Sequence, residues 1–491
     1  MNYRLISKLI SVIVATLAMA FLACLGLGQV FDDSVREDGI LDEWLISSAI
    51  ALGLAMVFYL LGRNSGNKLL RKEALTVIGL GWLLASMVGA IPYYLILRDS
   101  TLADCIFEST SGLTTTGATV FTGLDNMPTS LLFWRCLSQW IGGLGVVVFF
   151  VALLSSLGAG AKILFSHESS GHSTDIQSGR IQSGVTQIMF LYLGLSVACM
   201  LVFHWCGMSW FDAICHMFTT VSTGGFSTHD ASAGHFGSAT LEWAMIVFMA
   251  LGGMSFFVML RVLRGDFKAL FRNTEVMYYY LIMIVVSVLL TIMLLGEVGV
   301  ESLNLAIREA TFQAVSILTT TGYTTVDYQI WPPVGHTLLL LLMVIGGCSG
   351  STAGGTKVVR FAVIMKVCRQ QIERAYRTRV VRPLYMNGRV LDKQDQEGVI
   401  NYVLLLGIVS ICSMLILAMI EHQLSYEGGF SAMLSCLYNI GPGFNEIGPT
   451  QTYGHFSAAA KVFLSLLMIM GRLELYAILV LLSPSLWRRF T

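Results

Sequence analysis

Long apolar runs alternate with short polar punctuation along this chain, and the runs come in two lengths. Stretches of roughly twenty apolar residues, enough to cross a hydrocarbon layer as helices, lie at about 5–28, 43–62, 74–97, 129–154, 184–206, 239–263, 277–298, 336–365, 399–421 and 456–483. They predict about ten crossings. Four shorter apolar segments stand between them: LADCIFESTSGL, WFDAICHMFTTV, REATFQAVSIL and GGFSAMLSCLY. These are too short to cross and predict re-entrant helices that enter and return on one side.

Each short segment runs into a glycine-bearing polar signature. GLTTTGAT at 112–119 is matched by ILTTTGYT at 317–324, and more weakly by VSTGGFST at 221–228 and YNIGPGF at 438–444. The anchoring glycines on this alignment are Gly117, Gly224, Gly322 and Gly441. The long run after each signature carries a further glycine cluster: Gly142–Gly143, Gly252–Gly253, Gly346–Gly347 and the lone Gly471. One TTTG alone reads as a helix C-cap, whereas four in register predict a four-fold repeat of helix, pore loop and helix. Bare backbone at membrane depth is tolerated only where protein buries it or it lines a watery cavity. Glycine adopts left-handed conformations without a Cβ clash, so consecutive carbonyls can face one axis and replace the hydration shell of a cation. Threonine hydroxyls there either satisfy local backbone groups or add a ring of oxygens.

Composition and charge fit this picture. The chain is 55% hydrophobic and 12% charged, with net charge zero, outside the range of soluble domains. The charges are segregated. Basic residues crowd into Arg63–Lys72, Arg261–Arg272, Lys357–Lys393 and Arg488–Arg489, while Asp32, Asp33, Glu37, Asp38, Asp99, Asp104, Asp230, Glu297 and Glu446 fall between. The positive-inside rule puts the basic set and both termini in the cytoplasm. Arg4 and Lys8 precede a first span with no convincing cleavage site, so no signal peptide is expected. The ten cysteines form no CxxC pair and read as small core residues. His216, His229 and His235 share one outer-facing region, but their spacing is not that of a metal site. No span holds a nucleophile facing a base, which argues against an intramembrane hydrolase, so no enzyme activity is expected.

The motifs STSGLTTTGAT, FTTVSTGGFSTHDAS, SILTTTGYTT, YNIGPGF, IGGCSGSTAGGTKVVR and GRLELYAILVL resemble the Trk/Ktr/HKT superfamily of potassium transporters. The similarity is closest to the bacterial Trk membrane subunits of the TrkH and TrkG type and covers essentially the whole chain. It implies an all-α polytopic membrane protein with two leading helices (1–70) and four repeats, at 71–160, 161–272, 273–395 and 396–491, around a central pore. By position, the selectivity filter is expected at Thr115–Thr116–Gly117, Ser222–Thr223–Gly224, Thr320–Thr321–Gly322 and Asn439–Ile440–Gly441, with carbonyls coordinating potassium. In the plant branch, serine at the first such glycine goes with sodium transport, so Gly117 favours potassium; a sodium-permeable or weakly selective transporter is the alternative. The fourth loop departs most from the pattern through Asn439, Ile440 and Pro442.

The resemblance also implies a gate. The run from 336 is broken by IGGCSGSTAGGT, whose glycines make a continuous helix uncomfortable. It is similar to the family's intramembrane loop below the filter, giving Gly346, Gly347, Gly350, Ser351, Gly354, Gly355 and Lys357 as gate residues; close packing of helices through small residues is the other reading. A phosphate loop is excluded, since Gly355 is followed by Thr356 before Lys357. Arg472 resembles the family's pore-facing arginine, which repels cations or braces the loop; an ion pair with Glu474 or another acid is its structural alternative. Arg135, Arg308 and Lys461 lie where snorkelling would explain them. The basic stretch Lys366–Lys393 is a candidate contact for the ring of cytosolic nucleotide-binding subunits of the TrkA type that the family docks. The resemblance further implies a homodimer in a bacterial inner membrane, with potassium as substrate, no cofactor bound by this chain, and no nucleic-acid partner.

Overall fold

The polar residues that punctuate the sequence become helix ends. Thr101 caps the first short helix, Leu102–Leu113, accepting from Asp104 N while the Asp104 carboxylate accepts from Thr101 N, a reciprocal box that satisfies two otherwise orphan donors. Ser209, Ser425, Ser238 and Ser457 cap Trp210–Val221, Tyr426–Tyr438, Ala239–Gly252 and Ala458–Arg472 through side-chain oxygens in the same way.

The structure is a computed structural model that describes residues 1–31, 40–66, 70–156, 178–300, 302–377 and 383–484. The acidic group Asp32, Asp33, Glu37 and Asp38, the terminal Arg488–Arg489, residues 378–382 of the basic stretch and residues 161–177 at the start of the second repeat lie outside the described residues.

Two leading helices, Tyr3–Phe31 and Ile40–Gly62, run antiparallel: any side chain at Gly62 would press on the backbone of Arg4 and Lys8. They fasten to the first repeat where Trp44 Nε1 donates to Ser130 Oγ at 3.0 Å and Phe21 meets Trp134 edge-on at 4.8 Å. Four units follow. Each has a long first helix (Arg71–Gly89, Ser178–Trp205, Thr274–Met293, Lys393–Ile420), a short helix (Leu102–Leu113, Trp210–Val221, Leu303–Leu318, Tyr426–Tyr438) and a second long segment.

The second segments of the second and fourth units differ from the expectation of uninterrupted spans, and the third breaks where its glycine-rich stretch predicts. In the first unit Thr129–Ser156 is one helix. In the second, Ala239–Gly252 and Phe256–Leu263 meet at 104°. The third breaks after Pro333–Ile345 and resumes as Val358–Tyr376. The fourth bends 119° between Ala458–Arg472 and Tyr476–Leu482, with Glu474 and Leu475 at φ 54° and 63°. By length and composition, six of the described helices can cross a membrane, or eight if each bent pair is one span.

The glycine clusters explain where these segments pack. A side chain at Gly142 or Gly471 would collide with the carbonyl of Leu113 or Leu437, and Gly252 faces that of Val221 at 3.3 Å. Each is the last or next-to-last residue of its unit's short helix, so the second segment reaches that helix end because it lacks a Cβ there. The one β ladder among the described residues is a short hairpin, Tyr385–Met386 with Arg389–Val390. Its turn, Asn387–Gly388, has both residues at positive φ, as a type I′ turn requires.

Candidate ion-conducting site

Every short helix ends in the same backbone device. In the first three units a cap residue at φ near −80°, Thr114, Ser222 or Thr319, precedes a left-handed residue: Thr115 (φ 52°), Thr223 (54°) or Thr320 (56°). In the fourth, Asn439 (57°) is both cap and left-handed residue. Two positions later comes a positive-φ glycine: Gly117 (81°), Gly225 (78°), Gly322 (82°) and Gly441 (106°). The residue between donates its N–H five residues back: Thr116 to Ser111, Gly224 to Thr219, Thr321 to Ser316 and Ile440 to Ser435, at 2.8 to 2.9 Å.

This fixes the register and corrects it in the second loop. The residue equivalent to Gly117 is Gly225, not Gly224, and the second triplet is Thr223–Gly224–Gly225; Ser222 takes the place of Thr114 and Thr319. The sequence VSTGGF permits either alignment, and only the φ values and the five-residue hydrogen bond separate them.

The four triplets close a ring. A Cβ on Gly117 would strike the carbonyl oxygen of Gly224, one on Gly225 that of Thr321, one on Gly322 that of Ile440, and one on Gly441 would lie 2.9 Å from that of Thr116. Each glycine therefore abuts the next loop in chain order, and the fourth returns to the first. In the first and third loops two threonine hydroxyls bond each other: Thr114 Oγ1 with Thr116 Oγ1, and Thr319 Oγ1 with Thr321 Oγ1, both at 2.7 Å. In the second loop the Gly224 carbonyl accepts from Gln139 Nε2 at 2.8 Å, while Gln139 Oε1 accepts from Phe226 N. In the fourth, Asn439 Nδ2 donates to Thr116 Oγ1 and Met468 O, both at 2.9 Å. The asymmetry of the ring thus lies in the second loop as well as the fourth.

Behind the ring, Arg135 is 1% exposed and pairs with the fully buried Glu108 at 2.8 Å. Its Nη1 donates to Ser227 O of the next loop, and its guanidinium lies 4.2 Å from the Phe226 ring. Glu108 also accepts from Thr119 Oγ1 and Val120 N. Arg308 pairs with Glu242 at 2.8 Å and Lys461 with Asp104 at 2.6 Å. None of the three bases snorkels; each joins two elements. A buried pair of this kind depends on complete hydrogen bonding, because each ion has lost its hydration.

On one side the ring floors a cavity of about 200 Å³, lined by Gly117, Gly225, Gly322 and Gly441 and by outer-loop residues that include His229, Asp230 and Tyr453. On the rim, His229 stands between Asp125 (2.5 Å) and Asp212 (3.5 Å), and the hydrogen bonds of these carboxylates, Asp212 first, hold its imidazole above its ordinary pKa.

On the other side lies the non-helical stretch 346–357. Thr352 Oγ1 donates to Val221 O at 3.0 Å and Gly252 O at 3.1 Å. Gly354 N donates to Thr320 Oγ1 at 2.6 Å, and Gly355 N to Tyr438 O at 3.0 Å. The stretch is thereby bonded to the inner ends of the second, third and fourth short helices. Gly346, Gly350 and Gly355 adopt positive φ, and so does Lys357 (φ 81°), whose Nζ turns back to Ala353 O. Gly347 meets Ala353 and the Gly253 backbone, and Ser351 Oγ donates to Cys348 O. Arg472, 5% exposed, donates from Nη1 to Thr352 O at 2.7 Å. Glu474 does not pair with it: that carboxylate binds Arg360 at 2.7 Å. Sequence reasoning missed Thr352, Gln139 and the Glu108–Arg135 pair. The only signal for the pair was an acid inside a short apolar helix.

Comparison with known proteins is consistent along the whole chain. The family model TrkH, cation transport protein, matches residues 46–489. The "Trk system potassium uptake protein TrkH" of Salmonella typhimurium is 32% identical over 99% of this chain and all of that one. The protein of the same name from Escherichia coli K12 is 34% identical over 92% of this chain and 94% of its own, and TrkG of that strain is 32% identical over 87% of each. The crystal structure of the potassium transporter TrkH from Vibrio parahaemolyticus superposes with a TM-score of 0.89 at 30% identity, covering 99% of this chain and all of that one.

Proposed function

The chain belongs to the TrkH family of cation transport proteins, and from that premise we propose that it takes up potassium across a bacterial inner membrane through the glycine ring. The observation that carries this reading is the closed contact order of Gly117, Gly225, Gly322 and Gly441 on their neighbours' carbonyls. Potassium is weakly hydrated, so a ring of backbone carbonyls compensates the water it sheds. With Thr116 Oγ1 bonded to Thr114 and Thr321 Oγ1 bonded to Thr319, carbonyls of Thr115–Gly117, Thr223–Gly225, Thr320–Gly322 and Asn439–Gly441 supply the oxygens. The 200 Å³ cavity is the outer vestibule, and both termini are cytoplasmic.

Below the filter, the 346–357 loop is the gate and Arg472 its brace. Its bond to Thr352 O holds the loop across the pore and sets a positive charge there, which repels an arriving cation. Helix Val358–Tyr376 continues from the loop, and its Lys366 Nζ bonds the hairpin at Tyr385 O. A cytosolic nucleotide-binding subunit docked on this basic surface can therefore pull the loop, and two copies of the chain share such a subunit ring as a homodimer.

The test is complementation. Expressed with its cytosolic partner in a bacterium lacking potassium uptake, the chain restores growth at limiting potassium, and proteoliposomes carrying it pass potassium in preference to sodium. Absence of rescue and of flux overturns the reading, and equal sodium flux replaces it with a weakly selective transporter.

A further inference from the structure

The vestibule rim holds a group of side chains that ion conduction does not use. Asp125, His229 and His235 each offer a ligand atom within 4.8 Å of the others. They come from different units: Asp125 from the turn Leu124–Asn126 of the first, the histidines from the loop after the second short helix. The spacing of the histidines gave no sign of this, because the carboxylate arrives from a distant part of the chain. We propose that these three residues form an extracellular site for a borderline divalent transition ion of the zinc class, which lowers potassium entry when bound.

Three observations carry the site. First, the donor set of two imidazoles and one carboxylate is that of tetrahedral zinc with one open position, and it discriminates against magnesium and calcium, which prefer all-oxygen shells. The two rings are stacked with centroids 3.5 Å apart and planes 3° from parallel, so their ligand nitrogens lie within reach of one ion while their lone pairs run parallel. A tilt of the exposed His235 ring converges them. Second, a carboxylate faces the other ring nitrogen of His229, where metal-ligating histidines carry their outer partner. Its Nε2 faces Asp212 Oδ1 at 3.5 Å, and Asp212 is itself fixed by Ser209 Oγ and Thr228 Oγ1, each at 2.7 Å. That leaves Nδ1, now on Asp125 at 2.5 Å, to take the metal. Third, the frame is already assembled. The Asp230 carboxylate accepts from Leu124 N, tying the turn that bears Asp125 to the loop that bears His229, and Phe236 meets both imidazoles edge-on at 5.5 and 5.3 Å. His216, the third histidine of the region, is buried and engaged with Asp212 O and Ser227 Oγ, so it is not a ligand.

Because His229 lines the vestibule, a bound dication adds positive charge along the potassium path and lowers the local cation concentration. Binding is independent of the transport reading, whereas inhibition rests on it, so the two are measured separately. Zinc titrated into the purified full chain by calorimetry binds with one-to-one stoichiometry, and magnesium does not compete. His235→Ala and Asp125→Asn, both at exposed positions, each weaken binding by more than about tenfold, the least loss expected when even an outer partner is removed. In proteoliposomes, zinc on the vestibule side reduces potassium flux about twofold or more in the unaltered chain and not in either variant, whose zinc-free flux is unchanged. Absence of stoichiometric binding, or binding that survives both substitutions, overturns the site. Binding lost in the variants with zinc-insensitive flux in the unaltered chain overturns the inhibition.

Discussion

A single residue decides the register of the ring. Gly225 is at φ 78° with the Thr321 carbonyl where its Cβ would be, while the atoms nearest a Cβ on Gly224 are those at the end of the Gln139 side chain. The Gln139 amide can move aside at the cost of its bonds to Gly224 O and Phe226 N, and a neighbouring backbone carbonyl in a closed ring cannot. Gly225→Ala should therefore abolish potassium uptake or its preference over sodium, and Gly224→Ala should retain most of both, as read by flux in proteoliposomes. Arg135 makes a second test. Arg135→Met leaves the Glu108 carboxylate buried without its partner, which costs about 3 to 5 kcal/mol, seen as a lower Tm in detergent. Arg135→Met with Glu108→Gln should recover a large part of that loss, because the uncompensated charge is gone. Sequence reading found the polar character of both positions; the partners were invisible because they are brought together only by the fold.

The elements that matter most are the broken ones. Ten apolar runs were legible from their length, as was the break across 346–357 from its glycines, yet two more of the four second segments are interrupted, after Gly252–Gly253 and around Arg472–Leu475. Apolar composition reports that a segment can be buried in lipid or protein and is nearly silent on direction, so a bend of 104° or 119° within one run left no trace in hydropathy. The glycines that mark the breaks were legible, and the reason for them was not: Gly252 and Gly471 make room for carbonyls at the ends of the second and fourth short helices, while Gly346 and Gly347 pack against Gly354, Gly355 and Ala353 of their own loop and against Gly253. The 346–357 loop is tied down by hydrogen bonds that gather at Thr352: its Oγ1 proton is shared between Val221 O and Gly252 O, its N donates to Gly252 O, and its carbonyl accepts from Arg472. Thr352→Val should loosen the loop and raise potassium flux. Arg472→Ala should raise it further, since a positive charge leaves with the contact. A fall in thermal stability without any rise in flux in both variants would assign these residues a purely structural part.

At the scale of the whole molecule, the repeats are joined head to tail. Arg308 of the third short helix pairs with Glu242 of the second unit, and Lys461 of the fourth unit pairs with Asp104 on the first short helix. Tyr453 N also donates to Thr119 O at 2.9 Å across that last joint. The closing Lys461–Asp104 pair is little exposed, with side-chain accessibilities of 7% and 16%. Lys461→Asp and Asp104→Lys should each lower Tm, and the swapped double variant should regain part of the loss, with a coupling of about 0.5 to 3 kcal/mol. The sequence by itself determined the membrane class, the leading helix pair, the four-fold repeat and the glycine signature, because hydrophobic length and glycine placement are local requirements of a bilayer and of a left-handed backbone. Tertiary structure alone decided which glycine of the second loop enters the ring, which carbonyls the glycines abut, which acids the buried bases find, and that Asp125 joins two histidines at the rim. Those are contacts between distant segments, and a linear pattern carries no distance between residues that only closure of the ring makes neighbours.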